Sequence, residues 1–162
     1  MKAVSLRLSQ RGLTLVELVI TLAILSILAS AVIPLAETTI KRTKELELHR
    51  ALRTIRTAID EYKDDFDKAV AQNKYQKAIN ESGYPPDLDA LVKGNDWNGL
   101  YQYPRKYLRR IPHDPFDKYG DGWGLRSYTD EPDSTVYGGG DVFDVYSQSD
   151  DVALDGSYYN TW

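Results

Sequence analysis

The sequence predicts an α+β chain, with a long N-terminal helix packed on a small C-terminal antiparallel sheet with long loops. Three observations carry this. Leu13 to Leu35 is an apolar run whose one charge is Glu17. Leu48, Leu52, Ile55, Ile59, Tyr62 and Phe66 recur at alternating spacings of four and three, the apolar stripe of a helix. Beyond residue 120, short β-rich runs alternate with glycine and aspartate, as in strands joined by turns.

The first twelve residues carry Lys2, Arg7 and Arg11 and no acid, and end in Gly12. Residues 13–35 as a helix span about 34 Å at 1.5 Å per residue, enough for a hydrocarbon core of about 30 Å. The positive-inside rule keeps the leader in the cytoplasm and sends residues 36–162 outward. A cleaved secretory signal fits less well. Its apolar core is shorter, and here Ala29-Ser30-Ala31 is followed by more apolar sequence. Pro34 removes a backbone bond and is expected to kink or locally open the helix.

The amphipathic half of the helix is expected to continue to about residue 79, packed on its own head domain. Gly83-Tyr84-Pro85-Pro86 signals a loop. Leu88, Leu91 and Val92 suit a short helix capped by Gly94, and His113-Asp114-Pro115 is a further breaker. Trp123–Thr129 and Asp141–Ser147 read as strands.

Composition excludes several classes. The 162 residues include no cysteine and only His49 and His113, which removes disulfides, thiol nucleophiles, iron–sulfur clusters and a histidine-rich metal centre. No nucleophile elbow, phosphate loop or zinc-binding helix motif is present, so an enzyme is not expected. The twelve tyrosines come without cofactor ligands and are read as packing residues rather than an electron path. The net charge is −4, and residues 113–162 hold eleven acids against Lys118 and Arg126, so nucleic acid is not an expected partner. Residues 147–157 form an acidic loop with a glycine, suited either to a hard cation such as calcium or to a solvated turn. Asp114, Asp117 and Asp121 form a second acidic cluster that suits an ion or a turn.

Gly12 followed by Leu13-Thr14-Leu15-Val16-Glu17 resembles the processing signal of type IV pilins and pseudopilins. The resemblance implies cleavage after Gly12 by a prepilin peptidase and methylation of the new N-terminus at Leu13, where the family usually has phenylalanine. It also implies that Glu17 neutralises the Leu13 amine of a neighbouring copy. A carboxylate inside an apolar helix is itself a functional signal.

The second half resembles the major pseudopilin of type II secretion. Four stretches carry this, in family order: Tyr84 to Val92, Tyr107-Leu108-Arg109-Arg110-Ile111-Pro112-His113-Asp114-Pro115-Phe116, Asp141 to Ser147, and Asn160-Thr161-Trp162. Residues 117–140 look expanded against that family and the acidic loop shortened. The resemblance implies a pilin-like fold and a single-pass inner-membrane anchor with a periplasmic head. Its implied partners are further copies of the chain, minor pseudopilins, prepilin peptidase, an inner-membrane assembly platform and membrane lipid. It further implies structural calcium in the loop, held by Asp151, Asp155 and Ser157 with main-chain carbonyls of Gln148 and Ala153. A type IV pilus pilin, or a minor pseudopilin of a related export or DNA-uptake system, is the neighbouring alternative.

Overall fold

The structure, a computed structural model, describes residues 12–162, except for the side chains of Ala31, Ile33, Pro34 and Leu35. The leader before Gly12 lies outside the described residues, as does the side chain of Pro34 on which a kink was expected. The chain divides after Ile40 into two units. Helix α1, Leu15–Ala71, contributes to both. Helix α2 is Leu88–Lys93, strand β1 Trp123–Arg126 and strand β2 Asp144–Ser147, and a 3-10 turn closes at Tyr159–Thr161.

In the first unit, every described side chain from Gly12 to Ser30 is exposed. Within the second unit, residues 41–71 of α1 form the spine of the core. All six residues of the predicted stripe are buried, joined by Ala51, Ala58 and Ala69. The stripe packs on Leu91 of α2, on Trp97 and Leu108, and on Val142, Val145 and Tyr159. Removing such side chains costs transfer energy plus a cavity. Ile55→Ala is therefore expected to destabilise the head by about 2–5 kcal/mol in a denaturant titration.

The helix ends at Ala71, short of the expected residue 79. Asn73 takes a left-handed conformation at φ 55°, and the Lys74 and Tyr75 amides turn back to the Ala69 carbonyl. Asparagine tolerates that conformation, so local capping overrides the continuing polar pattern. Helix α2 forms where predicted. The Asp87 carboxylate caps its start by accepting from the Ala90 amide at 2.7 Å. Gly94, at φ 79°, caps its end, and a Cβ there would stand 2.5 Å from the Arg105 carbonyl oxygen.

Both strands are shorter than their sequence runs. They pair antiparallel with Trp123 opposite Ser147 and Arg126 opposite Asp144. Beyond Arg126 the chain turns away because the Asp130 carboxylate takes the amides of Ser127 and Gly138. The Tyr146 ring lies over Gly124, its partner in register, where an added Cβ would fall 2.3 Å from the ring. Gly124→Ala is expected to cost about 1–3 kcal/mol by overpacking, read as a lower melting temperature.

A buried carboxylate holds the segment after α2 against α1. Asp65 is 0 % exposed. It accepts from Tyr101 Oη (2.9 Å), Tyr107 Oη (3.0 Å), Arg105 Nη1 (2.8 Å) and Lys68 Nζ (3.0 Å). Burial alone would push this carboxyl up. The four donors and the Arg105 charge outweigh it and hold the group below the usual carboxylate value.

Candidate functional site

The N-terminal segment is built by a helix start. Thr14 precedes α1, and its Oγ1 accepts the Glu17 amide at 3.2 Å while its carbonyl accepts the Leu18 amide. This is the threonine half of a capping box, with glutamate three residues on. Sequence reasoning singled out Gly12, Leu13 and Glu17 and missed Thr14, although threonine followed by Glu17 at that spacing was the available signal. The structure brings Leu13, 72 % exposed, and Glu17 to one end of α1, both open to solvent.

Behind them the helix exposes mostly apolar side chains. Leu15, Val16, Leu18, Val19, Ile20, Leu22, Ile24, Leu25, Ile27 and Leu28 are all exposed. Its hydroxyls are turned inward chemically: Thr21, Ser26 and Ser30 donate to the carbonyls of Leu18, Leu22 and Ile27. A helix whose polar groups are satisfied within itself can be surrounded by apolar material without leaving orphan donors. Among the described residues, no helix is long and apolar enough to cross a membrane.

The C-terminal loop is docked on α1 by residues that no local pattern marked. Glu45 Oε1 accepts from the Leu154 amide (2.8 Å) and from Tyr159 Oη (2.9 Å). Burial and that carboxylate push the Tyr159 phenol up. His49 stacks on Trp162 at 4.1 Å between ring centres. Arg56 Nη2 donates to the carbonyls of Val145 and Trp162, both at 3.0 Å, and its Nε to Asp144 at 2.7 Å.

The side chains expected to hold calcium, Asp151, Asp155 and Ser157, are each engaged within the protein. Asp151 pairs with the Lys118 ammonium at 2.7 Å. Asp155 accepts both the amide and the hydroxyl of Ser157, which hold its carboxyl below the usual range. Ser157 Oγ also accepts the Trp162 indole N–H. The Ala153 carbonyl accepts the Gly156 amide, and the Gln148 amide donates to the carbonyls of Asp121 and Gly122. Among the described residues, no three histidine, aspartate or glutamate side chains are grouped to hold a metal. Lys118 reaches Asp151 across 33 positions of sequence, a closure that no spacing within the loop could reveal.

The second acidic cluster also comes apart. Asp117 spends its carboxylate on its own turn, accepting the amides of Tyr119, Gly120, Asp121 and Gly122. The Gly122 amide is the leading cause of its lowered carboxyl; desolvation opposes it, and the amides of Gly120, Tyr119 and Asp121 add to the lowering. Asp114 instead is buried and lies in the wall of a cleft between residues 114–121 and 148–151.

The family model for the prokaryotic N-terminal methylation motif matches residues 7–33. Over 112 residues the chain is 29 % identical to the type II secretion system core protein G of Klebsiella michiganensis. That match covers 68 % of this chain and 70 % of the relative. No solved structure matches. The chain thus carries the N-terminal methylation motif, in a pilin-like α+β fold, and is similar to a type II secretion core protein.

Proposed function

We propose that this chain is a structural subunit of a periplasmic pseudopilus serving type II protein secretion. The observation that carries the reading is the exposed, predominantly apolar start of α1, whose hydroxyls are bonded within the helix and which lies within the matched methylation motif. So large an exposed apolar surface requires a cover. Membrane lipid covers it before assembly, and neighbouring copies of the same helix cover it in a filament. The apolar run from Leu13 to Leu35 anchors the chain in the inner membrane with the head in the periplasm.

Processing frees the Leu13 amine after Gly12. The Glu17 carboxylate of one subunit then pairs with the Leu13 amine of the next. In low dielectric that pairing fixes register, because any other register buries two unpaired charges. Prepilin peptidase, an inner-membrane assembly platform and minor pseudopilins are the partners this role requires. The role is structural, and no catalytic residue is assigned.

Gly12→Val tests the processing step. The variant should accumulate in the membrane as the precursor, larger than the wild-type band and without N-methylation by mass spectrometry. A normally cleaved Gly12→Val chain would refute the assignment.

A further inference from the structure

The arginines of the head divide into two groups. Arg56, Arg105 and Arg126 are each ion-paired with a carboxylate. Arg42, Arg50, Arg53, Arg109 and Arg110 are exposed, and among the described residues none of their side chains has an ion pair or a hydrogen bond. Acidic partners are not scarce, since the chain holds 24 acids against 20 lysines and arginines. Unpaired guanidinium groups gathered on a net acidic chain make a local positive field that attracts anions.

Two of the unpaired arginines meet at one groove. It runs between α1 and residues 110–113, has a volume of about 550 Å³, and is lined by Glu47, Arg50, Thr54, Arg110, Ile111 and His113. Arg53 and Arg109 adjoin the lining arginines in sequence. Both walls are fixed. On the α1 side, Ala51 beside the groove is buried in the core. The facing segment is tied at one end by Arg105 to Glu61 and by Tyr107 to Asp65. At the other end the Trp123 indole N–H donates to the Pro112 carbonyl at 2.8 Å. Thr54 spends its hydroxyl hydrogen on the Arg50 carbonyl, so the cationic side chains carry the recognition.

We propose that this groove is a binding site for a phosphate group, held by Arg50 from α1 and Arg110 from the facing segment. A planar guanidinium matches the edge of a phosphate with two parallel N–H donors. One arginine satisfies a single carboxylate, whereas a tetrahedral phosphate offers a second edge to a second arginine. His113 adds a ring N–H at the same groove. Glu47 is the one acid in the lining and opposes the anion. Free phosphate and the head group of an anionic phospholipid present the same oxygens. The site is built within the head alone and does not depend on the role proposed above.

The test is calorimetric titration of the full chain in neutral detergent micelles with sodium phosphate. One saturable event is expected, with Kd of about 10⁻⁴–10⁻³ M. Arg50→Gln and Arg110→Gln should each weaken it about tenfold, and Glu47→Gln should tighten it by several fold. All three positions are exposed, so the melting temperature should stay that of the wild type. Lys77→Gln removes one positive charge away from the groove and should leave affinity within about twofold. Repeating the titration in micelles doped with phosphatidylglycerol, against phosphatidylcholine, distinguishes the source. Loss of phosphate binding with phosphatidylglycerol alone supports the site with a lipid head group as its occupant, and unchanged binding supports it with free phosphate. The proposal is overturned by absence of saturable phosphate binding, or by wild-type affinity in both arginine variants. A loss in Lys77→Gln equal to that in Arg50→Gln overturns it in favour of diffuse attraction. Binding of a hexa-aspartate peptide without any binding of phosphate overturns it in favour of an acidic protein partner.

Discussion

Replacing Asp65 with alanine should destabilise the head by about 3–5 kcal/mol, because it strands the Arg105 and Lys68 charges and two tyrosine hydroxyls that converge on one buried carboxylate. For a unit of this size, that lowers the melting temperature by about 10–20 °C. The pH dependence is specific. Asp65 titrates below its ordinary value in the folded chain, so its contribution is complete above the unfolded carboxylate pKa of about 3.9. It is lost as pH falls through the lowered folded value. The gap between wild type and Asp65→Ala should therefore be constant near neutrality and close below about pH 4. A loss under about 1 kcal/mol near neutrality would show that the network is dispensable, and a gap undiminished at about pH 2 would show that the charge of Asp65 is not its source. Alkali acts on the tyrosines with the opposite sign. Tyr107 and Tyr159 have raised phenols, so their contribution is present below about pH 10 and disappears as pH rises through their folded values.

Glu17→Ala should leave the chain in the membrane and abolish filaments. On the proposed role, removing this carboxylate leaves the neighbouring Leu13 amine buried without a partner. That costs about 3–5 kcal/mol per contact, or a hundredfold or more in affinity between subunits. Membrane fractionation reports insertion, and sheared filaments viewed by electron microscopy report assembly. Wild-type filament yield from Glu17→Ala would remove Glu17 from the assembly mechanism. Since Glu17 lies outside the head core, its substitution should leave the head's melting temperature unchanged, while Asp65→Ala should lower it. The pair of variants thus separates failure to assemble from failure to fold.

Local and periodic features were legible in the sequence because their causes are local. The spacing of Leu48 to Phe66 predicted the buried face of α1 residue by residue, since helical geometry alone decides which side chains share a face. Asp87 and Gly94 bounded α2 through capping chemistry that needs no distant partner. Gly12, Leu13 and Glu17 stand out as a linear pattern, and the methylation-motif match spans residues 7–33. The end of α1 was misjudged because a single left-handed Asn73 terminates the helix within a polar stretch that resembles its continuation.

Tertiary structure decided where charges meet. Asp65 stands beside Asp64 in sequence with nothing to distinguish the two. Only the fold brings Tyr101, Arg105 and Tyr107 onto Asp65. The acidic loop looked like a cation site by composition, yet Lys118 closes on Asp151 and Ser157 on Asp155. Asp117 and Asp114, three residues apart, took opposite roles. One is saturated by four backbone amides of its own turn, and the other is buried with an open oxygen. The sequence by itself determined the apolar run, the core stripe and the N-terminal methylation motif, which follow from periodicity and linear order. The distant partners of Asp65 followed from the tertiary structure alone, because electrostatic pairing depends on distances between segments that sequence spacing does not encode.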